Sequence, residues 1–156
     1  ISTFFGYGYL TKMPGTVASL VTTIFIYIAY EYLGYTDLRF SIIFFFIIFF
    51  YSFYAVKDTE SVFVNKDPRQ IVIDEVLGQS MPLILLLHLN QTNQISMQIE
   101  IYYIISFFVF RFFDIFKPFP VSYFDKNFKN YFGIIMDDIM AGFYTMLVIY
   151  LISLKF

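Results

Sequence analysis

Residues 40–56 form a run of seventeen without one charged side chain, and nine of them in succession read IIFFFIIFF. Few folds accommodate such a run. It is too long for an ordinary strand, and it reaches the lower end of the roughly 17–25 apolar residues that a helix needs to cross a bilayer. In lipid the backbone must satisfy its own hydrogen bonds, which also selects helix. Four more apolar stretches share this character, at 16–33, 74–89 (interrupted by Pro82), 99–113 and 138–154. The expected fold is therefore all-α. It is a multi-helix bundle of about five apolar helices, membrane-embedded or membrane-associated, and residues 1–156 form one domain. The chain opens at Ile1 rather than a methionine, which leaves room for residues upstream. Its first residues lack the basic segment and long apolar run of a signal peptide.

Charge is scarce in this chain: 59% of its residues are hydrophobic and 14% charged. An ionised side chain set against apolar runs is costly unless it is paired or bound to a cation. The positions of the few charges are therefore informative. Of the 22 charged residues, eight fall within 54–75 and eight within 111–138. Helices that alternate in direction put the N-terminal stretch, the 57–73 connection and the 114–137 connection on one side. That side then holds Lys12, Lys57, Lys66, Arg69, Arg111, Lys117, Lys126 and Lys129, while Arg39 and Lys155 lie opposite. Such an excess of Lys and Arg labels a face cytoplasmic.

Composition also excludes several chemistries. There is no cysteine, so disulfides, thiolate metal sites and cysteine-phosphatase chemistry are absent. The single histidine, His88, lies in LILLLHL and reads as interior or interfacial packing, which removes multi-histidine metal sites. A net charge of −2 makes nucleic acid an unsuitable partner.

The remaining chemistry sits in four segments. Asp74-Glu75 lies among Ile71-Val72-Ile73 and Val76-Leu77, as an acidic pair at a helix start. Gly78, four residues on, is expected to leave room for a ligand on the same face. The bland reading of this pair is complementarity to the helix dipole. Arg111, Asp114 and Lys117 recur every three residues. Pro118 is expected to end their helix and free Lys117 to turn outwards. Their bland reading is an intrahelical ion pair. Asp137-Asp138 repeats the first layout, an acidic helix start with Ala141 and Gly142 clearing space behind it. Neighbours on a helix diverge by about 100°, so one acid of each doublet can bind metal while the other caps or orients. Two such starts offer the hard oxygen ligands that Mg²⁺ prefers. At the N-terminus, Pro14 suits a first helical turn and Thr16 a cap, and a helix start of this kind can take an anion. A separation below about 6 Å between the Asp74 and Asp138 carboxylates would allow one shared cation.

Together the segments GYGYLTKMPGTVASL (6–20), DPRQIVIDEVLGQ (67–79), FRFFDIFKPFPV (110–121) and GIIMDDIMAG (133–142) resemble the phosphatidylglycerophosphatase A family, in the family's order. The resemblance implies a Mg²⁺-dependent enzyme of the bacterial inner membrane whose active site faces the cytoplasm. Its reaction would be hydrolysis of phosphatidylglycerophosphate to phosphatidylglycerol and inorganic phosphate. It assigns the acidic positions Asp74, Glu75, Asp114, Asp137 and Asp138 to metal binding and catalysis. Arg111, Lys117 and Thr16 fall to the phosphate. The chain departs from the family pattern at Ala18, where glycine is usual, and at Phe132-Gly133, where two glycines are usual. Two rival readings stand beside it. One is a phosphatidyl-group transferase, whose long Asp/Gly/Arg spacing is absent here. The other is a non-catalytic membrane protein or transporter in which the charges form buried ion pairs.

Overall fold

The structure, a computed structural model, describes residues 13–60, 72–95, 97–128 and 130–155, with the backbone alone at 57–60 and at 125 and 126. All its regular elements are helical, as the apolar runs require. They are α1 (Pro14–Tyr27, continued by a π-helical turn Ile28–Tyr32), α2 (Leu38–Glu60), α3 (Ile73–Gln91), α4 (Ile99–Phe116), α5 (Val121–Asn127) and α6 (Tyr131–Lys155). Successive long helices alternate in direction. Gly15 at the start of α1 lies against Glu75 at the start of α3 and Arg111 near the end of α4. Lys12, Lys66, Arg69 and Lys129, and the side chains of Lys57 and Lys126, lie outside the described residues.

The helix ends follow from local chemistry. Pro14 occupies the first helical position of α1, where its missing N–H costs nothing, but Met13 and not Thr16 is the cap. The Asp37 carboxylate accepts from the N–H groups of Arg39 (2.9 Å) and Phe40 (3.3 Å), which fixes the start of α2. Helix α4 stops at Phe116 because Lys117 takes a left-handed conformation (φ 44°) ahead of Pro118, as the proline predicts. Helix α6 begins seven residues before Asp138. Asn130 caps it by accepting from the Gly133 N–H (3.1 Å), so Asp137-Asp138 lies in the second turn and is not a helix start. Helix α3 is not interrupted by Pro82 but runs through it.

Helix α3 lies at the centre, touching α1, α2, α4 and α6. One apolar cluster (Ala55, Val56, Ile73, Leu77, Ile135) packs beneath the polar end. A second (Leu83, Leu86, Leu89, Tyr102, Tyr103, Ile149) fills the far half. Beside these apolar clusters the bundle buries several small polar residues and exposes much apolar bulk. Buried positions include Ser19, Thr22, Thr23, Ser52, Gln79, Ser106 and Thr145, while Phe25, Phe50, Phe108 and Leu151 stand exposed. The buried hydroxyls satisfy themselves within their own helices: Ser19, Thr22, Thr23 and Thr145 each donate to the carbonyl four residues back at 2.8–2.9 Å. Small polar residues between helices and bulky apolar ones outside are what lipid favours. Among the described residues two helices, at Leu38–Val56 and Tyr131–Lys155, are long and apolar enough to cross a membrane. Helix α6, with 25 residues, is about 37 Å long at 1.5 Å per residue, more than the hydrocarbon thickness of about 30 Å. His88, expected to be interior or interfacial, is exposed near the end of α3.

Candidate metal and phosphate site

At the end of the bundle where α1, α3 and α6 begin and α4 stops, three acids from two helices converge. One carboxylate oxygen from each of Asp74, Glu75 and Asp138 lies within 4.8 Å of the others. That is inside the 6 Å limit for a shared cation. The three oxygens are close enough that, drawn together, they could share one hard cation. Asp74 and Asp138 are buried and Glu75 is half-buried, yet the Glu75 Oε2 is fully buried with no hydrogen-bond partner among the described residues. Burial, the Glu75 carboxylate beside it and the nearby Asp137 push the Asp74 carboxyl well above its ordinary range. Burial also raises Glu75; a hydrogen bond with Asp74 and the Arg111 guanidinium oppose this, and Asp114 adds to it. A buried acidic cluster of this kind can bind a metal, and an all-carboxylate donor set suits a hard cation such as Mg²⁺, Mn²⁺ or Ca²⁺.

The other two acids are held differently. Asp114 pairs with Arg111 one turn before it on α4. Asp137 receives the Lys117 ammonium at 2.5 Å, so Lys117 reaches back across to α6 and does not turn outwards as its place before Pro118 suggested. Within each doublet the first acid also accepts from the next backbone N–H, Glu75 to Asp74 at 3.1 Å and Asp138 to Asp137 at 3.0 Å. Lys117→Met removes the Lys117 ammonium from the buried Asp137. It is expected to cost about 1–3 kcal/mol, between the values for exposed and fully buried pairs. Adding Asp137→Asn to that variant should recover much of the loss, which thermal unfolding of the four proteins in detergent would read out. Additive costs would show that the pair does not couple.

The small residues work differently from what their spacing suggests. Gly78 does not leave room for a ligand. A Cβ there would meet the Asp138 carbonyl oxygen at 2.5 Å and the Phe110 ring at 2.7 Å. Nor does Gly142 clear space at the site, since a Cβ on it would run into the Gly78 carbonyl oxygen. Both glycines instead bring α3 and α6 into backbone contact, which is what sets Asp138 beside Asp74 and Glu75. Gly133 is needed because a Cβ would collide with the Phe128 carbonyl as the chain turns into α6. Gly15, at the start of α1, lies on the other side of the group, where a Cβ would meet the tip of the Glu75 side chain rather than backbone. Its signal was the Pro14-Gly15 step itself, where proline starts the helix. Helix α1 thus aims its first turn at the site, and its first intrahelical bond is Val17 N–H to the Met13 carbonyl (3.2 Å). Helix geometry leaves the Gly15 and Thr16 N–H groups without a carbonyl partner of that kind. Beside them the Arg111 Nε is buried with no hydrogen bond among the described residues.

Comparison with known proteins agrees with the motifs. A family model described as Phosphatidylglycerophosphatase A matches residues 1–153. A Haemophilus influenzae protein named phosphatidylglycerophosphatase A is 50% identical over 48 residues, a stretch covering only 31% of this chain and 29% of that one. A Bacteroides thetaiotaomicron protein named putative phosphatidylinositol-3-phosphatase is 33% identical over 96% of this chain and 89% of its own length. An Escherichia coli phosphatidylglycerophosphatase A is 28% identical over 96% of this chain and 79% of its own. No solved structure matches.

Proposed function

The chain belongs to the phosphatidylglycerophosphatase A family, a family of phosphoric monoester hydrolases, and from that membership we propose a metal-dependent lipid phosphatase. Its reaction is hydrolysis of phosphatidylglycerophosphate to phosphatidylglycerol and inorganic phosphate, with Mg²⁺, at the cytoplasmic face of a bacterial inner membrane. The observation that carries the reading is the buried group of Asp74, Glu75 and Asp138 beside Arg111. Among the described residues, five acids, counting Asp114 and Asp137, face two bases here. A site with that excess of negative charge repels a phosphate unless a cation offsets it.

Asp74, Glu75 and Asp138 would hold the cation. When bound, it neutralises charge on the phosphoryl oxygens and lowers the pKa of a coordinated water. Arg111 offers its guanidinium edge to the phosphate, with Asp114 orienting it, and the Gly15 and Thr16 N–H groups add donors at the positive end of α1. Lys117 steadies Asp137 and adds positive charge at the rim. The ester P–O bond breaks on attack by water, or by a carboxylate whose acyl phosphate is then hydrolysed, and the departing glycerol oxygen takes up a proton. Cysteine is absent and the only histidine stands at the far end of α3, so neither supplies the nucleophile.

Purified protein is expected to release inorganic phosphate from phosphatidylglycerophosphate, to stop with EDTA and to recover with added Mg²⁺. Release that is indifferent to EDTA would overturn the metal site. Failure under every divalent metal would favour a charge-paired protein without catalysis. The Bacteroides relative, which aligns over nearly the whole chain, supports a second substrate reading, phosphatidylinositol 3-phosphate. Both lipids share a phosphomonoester on a glycerophospholipid headgroup, and kcat/KM on each decides between them.

A further inference from the structure

The short helix α5 has no part in the chemistry above, yet it and the turn that leads into it expose aromatic surface near the site. Phe119, just before it, is 76% exposed, and Tyr123 within it is 48% exposed. Phe116, at the end of α4, is 71% exposed. These rings are not on a loose flap. The Tyr144 hydroxyl on α6 donates to the Phe119 carbonyl at 2.8 Å, and Val121 is fully buried beside Phe110 and Ala141. The segment is anchored with its aromatic side outwards.

What lies beyond that side follows from its level. Phe53 sits one turn before the end of the candidate span Leu38–Val56. Its ring meets those of Tyr131 (6.3 Å) and Phe132 (6.2 Å), the first two residues of the other candidate span. The two spans therefore end at the same height. From Phe132 the ring contacts continue to Phe128 (5.6 Å), from Phe128 to Tyr123 (6.1 Å) and from Tyr123 to Phe119 (6.5 Å). One aromatic band thus joins the span ends to α5. Aromatic rings gather at the boundary between headgroups and acyl chains, and a short helix level with span ends lies in that plane.

We infer that the segment from Phe116 to Phe128 rests in the headgroup–acyl boundary of a phospholipid bilayer, with Phe119 and Tyr123 immersed, and so holds the acidic site at headgroup depth. This rests on the membrane reading of α2 and α6 and not on the identity of the reaction. The chain has no tryptophan, so Phe119→Trp or Tyr123→Trp creates a single reporter, and Phe143→Trp, exposed midway along α6, supplies a deep reference. The test uses the full protein reconstituted in vesicles of phosphatidylethanolamine and phosphatidylglycerol. For Phe119→Trp and Tyr123→Trp we expect blue-shifted emission, quenched more by lipids brominated near the carbonyls than by those brominated near the chain ends. Phe143→Trp should show the reverse order. Water-like emission quenched by iodide would overturn the inference. So would blue-shifted emission that no brominated lipid quenches, as burial against a second copy would give, or quenching at the depth of Phe143→Trp. Phosphate release from the same vesicles is read separately. Its loss with the quenching order intact would count against the phosphatase and leave the bilayer contact standing.

Discussion

Asp138→Asn is expected to lower metal-dependent phosphate release by at least about 100-fold while leaving the protein folded and in the membrane. Asparagine keeps the shape of the side chain and removes the charge that a hard cation needs. The substitution also separates binding from folding. Three buried carboxyls within 4.8 Å repel one another when no cation is present, so neutralising one should leave the thermal stability of the metal-free protein unchanged or raised. What should vanish is the stabilisation that added Mg²⁺ gives the parent protein, since a ligand stabilises only a fold that binds it. Asp74→Asn is expected to behave alike, because it stands in the same group from the other helix. Asp137→Asn should differ: its partner is Lys117, so the cost falls on stability in the absence of metal. Near-normal Mg²⁺-dependent turnover in both Asp138→Asn and Asp74→Asn would sink the shared-cation reading.

That contrast within one doublet marks how far the sequence could be read. The helices, their alternation and the gathering of the acids at one end all follow from where apolar runs stop. Asp74-Glu75 was legible as a helix start because Ile73 opens α3. Asp137-Asp138 looked the same by analogy, but the cap that decides the matter is Asn130, seven residues before Asp137. A lone asparagine after a polar stretch is easily passed over. Helix α5 was missed because seven residues are too few to show a period. The tertiary partners were beyond local reading as well. Proline 118 reports that the helix ends at Lys117, and only the left-handed turn there, with α6 packed alongside, sends the ammonium back to Asp137. Small residues behind acids suggest room for a ligand. In this fold they are where two backbones meet, and no spacing rule distinguishes the two uses.

Gly142→Ala should therefore damage the site from a distance. Pro82 has no N–H to offer the Gly78 carbonyl, so the α3 backbone is left uncovered there. Helix α6 approaches that carbonyl through Gly142, where an added Cβ would overlap its oxygen. Neither atom belongs to a flexible side chain, so the helices must separate, at an overpacking cost of about 1–3 kcal/mol. Asp138 lies one turn before Gly142 on the same face of α6, and its own carbonyl rests on Gly78. Any separation at the crossing draws its carboxylate away from Asp74 and Glu75. The expected result is a lowered Tm together with a higher Mg²⁺ concentration for half-maximal phosphate release, with the role proposed for Arg111 untouched. Phe143→Ala, next in sequence but exposed, should change neither quantity much and serves as the reference. A Gly142→Ala protein that loses stability yet keeps the parent Mg²⁺ requirement would show that the crossing supports the fold without setting the spacing of the acids.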